Sequence, residues 1–292
     1  MPKPDSQCEK NSSQSSNQIF DDSDIKKKND DQIDMPEETP KKVKDIKEFI
    51  KSTYSNPELI LETFESNTRV KLQPVSVLST GSIYEGEWLK GKRDGIGKLI
   101  WAEGTVYDGE FKNDKVNGQG KMSFANGDVY IGGWRDNSKE GMGTYTNESG
   151  SCSGNWVKDQ LFGYGTQIYK DGTYYSGEFH NTLKHGHGKL KFKSGLTYEG
   201  MFANDTFHGE GSYIWSCGKK YLGHFQKGMM HGDGKMFYPD GRKYDGQWSC
   251  NKFDGQGTFV WSDGTKQGYV LIFFVISVVG IHKFSGNAFR NI

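Results

Sequence analysis

Residues 84–106 read YEGEWLKGKRDGIGKLIWAEGTV, and the residues on either side repeat the same pattern. A Gly-x-Gly triplet begins at Gly95, Gly118, Gly141, Gly163, Gly186, Gly209, Gly232 and Gly255, in steps of 23 residues with a single step of 22. A second series keeps register with it: Gly104, Gly127, Gly150, Gly172, Gly195, Gly218, Gly241 and Gly264, with Gly81 one period earlier. Eight registered copies exclude chance, so the repeat sets the fold.

Side chains alternate between the two faces of a strand. The opening Tyr-x-Gly-x-Trp therefore puts aromatic, glycine and aromatic on one face. It recurs as Tyr84/Trp88, Tyr107/Phe111, Tyr130/Trp134, Tyr175/Phe179, Tyr198/Phe202, Tyr221/Phe225 and Tyr244/Trp248. In the second half of the copy, Gly95 and Gly97 share a parity with Leu99 and Trp101, while Lys98, Lys121, Lys189 and Lys235 point the other way. Glu103-Gly104, Asn126-Gly127, Asp171-Gly172, Asp240-Gly241 and Asp263-Gly264 suit tight hairpin turns. The opposite loops hold Gly91, Asp114, Asn137, Asp159, Asp205, Gly228 or Asn251, all tolerant of left-handed backbone. Each copy thus predicts a β-hairpin, with glycine leaving a hole and a neighbouring ring filling it.

The expected fold class is an all-β repeat array: an elongated, single-layer, twisted antiparallel sheet of consecutive hairpins. Sixteen strands would make a ribbon about 75–80 Å long. The expected boundaries are a disordered polar tail over 1–40, short helices over 41–68, an entry strand over 69–81, the array over 82–266 and a divergent apolar tail over 267–292.

The aromatic face is the candidate interaction face, because a single layer has no second layer to cover it. Besides the pairs above it takes in Trp101, Phe124, Trp156, Tyr169, Phe192, Trp215, Tyr238 and Trp261. Unpaired sheet edges are a second candidate.

The pattern Y-x-G-x-W/F…G-x-G…G at 23 residues resembles the MORN (membrane occupation and recognition nexus) repeat family. Seven of eight copies open with Tyr and all carry the Trp or Phe. The resemblance implies a scaffold, with relatives among ciliary radial-spoke proteins, junctional membrane tethers and plant phosphoinositide kinases. The fourth copy departs: Cys152 replaces Tyr, the connection is one residue short, Asn147 stands where others carry a ring, and Phe162 replaces a polar residue or His. A kink or loosened strand pair is expected there.

Composition narrows the function. With 37 basic and 37 acidic side chains the formal net charge is zero. No nucleic-acid partner is expected, since such binders carry a basic excess. Residues 1–40 combine low complexity (NSSQSSNQ) with net negative charge and too little apolar surface to fold. Val43, Ile46, Phe49 and Ile50 fall on one helical face. Asn56-Pro57 signals a second helix start, with Leu59, Ile60 and Phe64 as its apolar side. Packing on the neighbouring domain is favoured over a membrane-surface role, because Asp45 and Glu48 offset the lysines. The four cysteines are far apart and no apolar leader opens the chain, so reduced thiols in an intracellular protein are expected.

Chemistry is scarce. The glycine triplets lack the third glycine of a dinucleotide fingerprint and lead into strands. Gly86–Lys92 imitates a P-loop, but Arg93 stands where Ser or Thr must ligate magnesium. His185, His208 and His231 recur at one repeat position, about 9–10 Å apart, too far to share a metal. Cys217 and Cys250 belong to opposite sheet edges. Glu85, Asp108, Glu110 and Glu199 face away from the rings as partners for strand lysines. No catalytic, cofactor or metal residue is expected.

After Gly264 the register fails, and Tyr269–Ile281 is an apolar run of 13 residues (YVLIFFVISVVGI). It reads as a terminal strand, as a non-homologous end, or as a short tail anchor that would bring membrane association; a spanning helix needs about 20 residues. The functional expectation is a non-enzymatic scaffold for protein partners, self-association included, in a cytoplasmic, cytoskeletal or ciliary setting. The alternative is an accessory protein of lipid signalling or membrane tethering, with weak anionic-phospholipid contact.

Overall fold

The computed structural model describes residues 41–77 and 80–271. The polar tail and most of the final apolar run lie outside the described residues. The chain divides into two compact units, one ending at Leu183 and one whose described part starts at Lys184.

The first unit opens with two helices, α1 (Lys41–Thr53) and α2 (Pro57–Glu65). Their apolar sides are buried inward: Ile46, Ile50 and Phe64 have no exposure. Lys47 is ion-paired with Glu65. Asn56 takes the N-cap position but makes no side-chain cap hydrogen bond; Pro57 alone presets the first turn.

Ten strands follow: β1 (Val70–Val77), β2 (Ser82–Leu89), β3 (Lys92–Ile100), β4 (Val106–Lys112), β5 (Lys115–Ser123), β6 (Val129–Arg135), β7 (Ser138–Asn147), β8 (Gly150–Val157), β9 (Gln160–Tyr169) and β10 (Tyr174–His180). Each pairs antiparallel with the next. The second unit carries β11 (Leu183–Lys191), β12 (Thr197–Ala203), β13 (Thr206–Ile214), β14 (Lys220–Gln226), β15 (Met229–Phe237), β16 (Lys243–Ser249), β17 (Lys252–Val260) and β18 (Lys266–Leu271), paired in the same way. The protein is an all-β array of consecutive antiparallel hairpins.

The two kinds of turn have distinct chemistry. Trp101 N–H donates to Thr105 O and Gly104 N–H to Trp101 O, with φ +96° at Gly104, a three-residue loop closed by a left-handed glycine. At the opposite edge Leu89 pairs with Lys92, and both Lys90 (φ 53°) and Gly91 (φ 73°) are left-handed, so the loop has two residues and a primed turn. Asn113-Asp114, Asp136-Asn137, Lys158-Asp159, Asn181-Thr182, Asn204-Asp205, Lys227-Gly228 and Cys250-Asn251 follow suit. The left-handed demand therefore falls on both turn residues, and Thr182 meets it despite its β-branch.

The glycines of each triplet do different jobs. Gly95 (φ +111°) and its equivalents sit where the register shifts, Gly86 pairing with Gly97 and then Trp88 with Arg93. The extra residues on β3 form a bulge, and its free N–H is capped from the neighbouring strand: Ile96 N–H donates to Glu87 Oε2 (3.0 Å), as Gln119 N–H does to Glu110 Oε1 (2.9 Å). Parity counting put both glycines under rings. The bulge breaks that alternation, and only the second glycine lies under one.

The fourth copy is not loosened. The link into it from the third copy, β7 to β8, pairs without interruption from Gly141↔Trp156 to Asn147↔Gly150, and its own β8–β9 hairpin pairs from Gly150↔Tyr169 to Val157↔Gln160 with the register shift that the other hairpins carry. The missing residue shortens the turn to Glu148-Ser149, where Asn147 Oδ1 accepts from Ser149 N–H (2.9 Å) and Gly150 N–H (3.1 Å). The side chain of Asn147 does the work that glycine does elsewhere, and the strands lengthen.

Candidate interaction face

The rings tile one face by edge-to-face contact. In the first unit the chain of contacts runs Trp88–Tyr84 (5.0 Å between centroids), Tyr84–Phe111 (5.1 Å), Phe111–Tyr107 (5.2 Å), Tyr107–Trp134 (5.7 Å), Trp134–Tyr130 (5.0 Å) and Tyr130–Trp156 (5.5 Å). On β10 of the same unit, Tyr175 and Phe179 meet in the same way at 5.1 Å. In the second unit the chain runs Phe202–Tyr198–Phe225–Tyr221–Trp248–Tyr244, again near-perpendicular at each step. Such pairs put positive ring edges on negative ring faces.

The glycine holes are visible atom by atom. A Cβ on Gly97 would come within 2.5 Å of Tyr84 Cζ, and one on Gly86 within 2.5 Å of the Gly97 backbone. The phenol thus lies flat over two bare α-carbons. Every opening tyrosine then donates from Oη to the carbonyl three residues on: Tyr84 to Glu87 (3.0 Å), Tyr107 to Glu110 (3.1 Å), Tyr130 to Gly133 (3.1 Å), Tyr175 to Glu178 (2.8 Å), Tyr198 to Met201 (2.7 Å), Tyr221 to His224 (3.0 Å) and Tyr244 to Gln247 (3.0 Å). That carbonyl sits at the bulge, so the tyrosine satisfies a group that the ladder leaves open. Burial drives these phenols well above their ordinary pKa of 10.0 at Tyr84, Tyr107, Tyr130, Tyr198 and Tyr221, and pushes Tyr213 up to about 12.

The expectation that the whole ring face is open to partners needs correction. Of the 22 candidate face residues, sixteen are buried. They are Trp101 and Trp156 together with both members of all seven opening pairs, from Tyr84 and Trp88 to Tyr244 and Trp248. Phe179 illustrates the reason. In the fourth copy no opening tyrosine covers the glycines, since Cys152 stands there, and Phe179 of the next copy takes the hole: a Cβ on Gly165 would stand 3.2 Å from its ring. Its other side lies against Tyr175, so it keeps 4% exposure and offers a partner nothing. The holes that glycine leaves consume the rings that were to form the interface.

The six remaining residues, Phe124, Tyr169, Phe192, Trp215, Tyr238 and Trp261, are half-buried. All six occupy one repeat position, where the second strand of a hairpin enters its three-residue turn. Trp101, buried, is their neighbour in that row. Lys219 Nζ lies 4.2 Å from the Trp215 ring centre and Arg242 Cζ 4.9 Å from that of Tyr238.

Sequence reasoning missed a set of cations inside the ring layer. Arg93 is 4% exposed, donates to Asp114 O (2.7 Å) and lies 5.3 Å from the Phe111 ring. Lys139 Nζ stands 4.8 Å from Tyr145 and 5.3 Å from Trp156. Lys184 pairs with Asp205 at 3.3 Å. Burial lowers the pKa of Arg93 and Lys139, partly offset by Asp114 and Asp159. The available signal was repeat position: the same column holds Val116, Leu161, Phe207, Met230 and Phe253.

The opposite face carries charge in ladders. Glu85, Lys98, Asp108 and Lys121 are successive cross-strand neighbours. Lys189–Glu199 (2.8 Å) and Lys235–Asp245 (2.9 Å) are ion pairs. Among the described residues no group of His, Cys, Asp and Glu is arranged to hold a metal, and no helix is long and apolar enough to cross a membrane. Cys250 has a free thiol, so it forms no bridge with Cys217. Cys217 is disulfide-bonded, so the expectation of reduced thiols throughout does not hold.

The family model described as "MORN repeat" matches residues 84–106, 107–129, 130–152, 152–174, 175–197, 198–218, 221–241 and 244–266. These copies span well over half of the chain, and the protein belongs to the MORN repeat family. A comparison with curated proteins returned no match. Among solved structures, the chain is similar to the E1021V mutant of the TCP10 domain of Danio rerio CPAP, with 13% identity, 70% of this chain and 98% of that chain covered, and a TM-score of 0.39. It is also similar to the TCP domain of Drosophila melanogaster SAS-4, solved with a proline-rich motif of Ana2 (13% identity, 61% and 84% covered, TM-score 0.27). A third is Staphylococcus aureus virginiamycin B lyase (6% identity, 71% and 89% covered, TM-score 0.16).

Proposed function

We propose that this chain is a non-enzymatic platform for protein partners, acting in a cytoskeletal or ciliary assembly. One observation carries the reading. The ring face is mostly consumed by its own packing, and those of its candidate residues that stay accessible form a regular row at the turn edge. In the second unit the row is Phe192, Trp215, Tyr238 and Trp261, at the ends of β11, β13, β15 and β17. Rings two strands apart are spaced by about 9.6 Å. A polyproline-type segment repeats every ~9.3 Å, three residues at ~3.1 Å. An extended proline-rich peptide crossing the strand ends would offer each ring one pyrrolidine, with the rings held in place by Lys219 and Arg242. Its preordered backbone also lowers the entropic cost of docking.

The test is a titration of a synthetic proline-repeat peptide against the full chain, followed by tryptophan fluorescence. Trp215→Ala and Trp261→Ala should each weaken binding at least tenfold, about 1.4 kcal/mol, with unchanged circular dichroism. Equal affinity in the folded variants would sink the proposal. The phosphoinositide alternative is weaker, because the strand lysines are already matched by acids on adjacent strands. Co-sedimentation with phosphoinositide vesicles that disappears at high salt would favour it instead. Imaging the tagged chain in its own cell tests the assembly.

A further inference from the structure

On β2–β5 the face opposite the rings carries the row Glu85, Lys98, Asp108, Lys121. The same row continues as Ile131, Thr144, Ser153, Thr166 and Ser176 across β6–β10. The charge ladder stops at Lys121 and does not resume within this unit. Beside this row stand exposed apolar side chains: Met142 (68% exposed), Tyr164 (69%), Ile168 (49%) and Tyr174 (40%), with Ile131 itself at 55%. Of the nine large exposed hydrophobic residues among those described, six lie on β6–β10. Charge is confined to the rim, where Arg135 is paired with Glu140 at 3.4 Å and Glu178 stands on β10. These strands include the irregular fourth copy: β7 and β8 pair into it without interruption, and the row stays in step across its β8–β9 hairpin, with Ser153 opposite Thr166.

A sheet apolar on both faces is the middle of a layered structure, and here one layer is missing. Four of the hydroxyls on this face are already satisfied in pairs. Thr144 and Ser153 hydroxyls are bonded at 2.8 Å, and Tyr164 and Ser176 at 2.7 Å, so covering them leaves those hydroxyls paired. An isologous contact sets a patch against itself, so any net charge on it meets its own like. The charge ladders elsewhere on this face would put lysine rows near lysine rows. Only β6–β10 lack that conflict.

We propose that the β6–β10 outer face binds the same face of a second copy of this chain, as a two-sheet sandwich in solution. Five strands and about six residues along each make a face of roughly 24 by 20 Å. Two such faces, with their side-chain relief, bury about 1,000 Å² or more, enough for a specific contact and well short of an obligate one. The dimer is therefore reversible and weak, and its two-fold axis relates the aligned sheets at about −30°. The proposal is independent of the peptide row, which lies on the ring side of other strands.

Sedimentation equilibrium of the full chain over a range of concentrations decides it. The wild type should pass from monomer to a mass twice as large. Ile131→Lys/Tyr164→Lys should weaken the dimer at least tenfold, because each copy would bury ammonium groups against their symmetry mates. Met142→Glu alone should do the same with a different charge. Ile96→Lys, an equally exposed apolar residue (59%) on β3 outside the patch, should leave the dimer intact. Thermal melts must show all three variants folded as the wild type is. A wild type monomeric at every concentration overturns the proposal, as does an association that both patch variants retain.

Discussion

At the scale of single residues, the repeat depends on two glycines that cannot exchange roles. Gly118 is left-handed (φ 61°), and a Cβ there meets the carboxylate of Glu110, the far end of a flexible side chain that can shift. Gly120 is extended, but a Cβ there would stand 2.5 Å from Tyr107 Cε2. Gly118→Ala should therefore cost about 1–2 kcal/mol, the left-handed strain of an L residue. Gly120→Ala should cost more than that, since about 1–3 kcal/mol of overpacking comes together with loss of the phenol hydrogen bond. Urea denaturation of the two variants checks the order; equal losses would show that the ring does not need the hole. The tyrosines make a second prediction. Their folded-state pKa values are raised, so the fold holds protons that the unfolded chain releases near pH 10. Their contribution to stability is complete below pH 10 and is lost as pH climbs through the folded-state values. Phenolate absorbance should rise together with loss of the sheet signal in circular dichroism; buried phenols titrating near 10 in the intact fold would refute this. The hole-and-filler logic was legible in the sequence because parity marks it. The bulge role of Gly118 was not, because parity assumes the very alternation that a bulge breaks. Nor was the burial of rings such as Phe179, because parity assigns a side chain to a face without showing whether its neighbours cover it.

At the scale of the hairpin, successive copies are joined by a clamp spanning 21 residues, or 20 across the shortened connection. Asn137 N–H donates to Val116 O (3.0 Å), and its Oδ1 accepts from Val116 N–H (2.8 Å). Asp114 on Arg93, Asp159 on Lys139, Thr182 on Leu161, Asp205 on Lys184 and Asn251 on Met230 do the same. The sequence showed residues tolerant of left-handed backbone. It could not show that their side chains reach back one copy, a contact that exists only once hairpins stack. Asn137→Gly isolates the clamp, since glycine keeps the backbone easy and removes only the side chain. It should cost about 0.5–1.5 kcal/mol, read as a lowered melting temperature; no change would mean that the main-chain bond alone holds the copies. The cations of the ring layer are the counterpart. Lys139 occupies a column in which other copies carry Val116, Leu161 and Met230, and its ring contacts come with a desolvation cost. Replacing a buried charge by a well-packed apolar residue is often neutral or stabilising. Lys139→Met should therefore hold or raise the melting temperature, and a fall of several degrees would show that the cation–ring contacts outweigh desolvation.

At the scale of the whole molecule, a repeat array is only as stable as its ends, because each copy is supported chiefly by its neighbours. The last ring in a column lacks the next copy's ring and faces water unless something else covers it. In the first unit that cover is α2. Phe64 is fully buried, lies 5.4 Å from Trp88 between ring centres, and accepts at its carbonyl from Gly91 N–H (2.9 Å). A helical residue thus takes on Trp88 the place that Tyr84 takes on Phe111 one copy later, and Trp88 keeps no exposure although no repeat precedes it. The amphipathic pattern of residues 41–66 pointed to packing on the array, though not to the ring it would cover, since a single spacing rule cannot choose among eight equivalent copies. Phe64→Ala should open a cavity costing about 3–5 kcal/mol in the first hairpin. The loss should decay along the sheet, because the damage passes from copy to copy only through contacts between neighbours. Amide hydrogen exchange should accelerate most in β2 and β3, less in β4 and β5, and remain at the wild-type rate in β8–β10. A uniform acceleration through all ten strands of the unit would mean that it unfolds as one block, and that Phe64 supports the whole sheet and not merely its end.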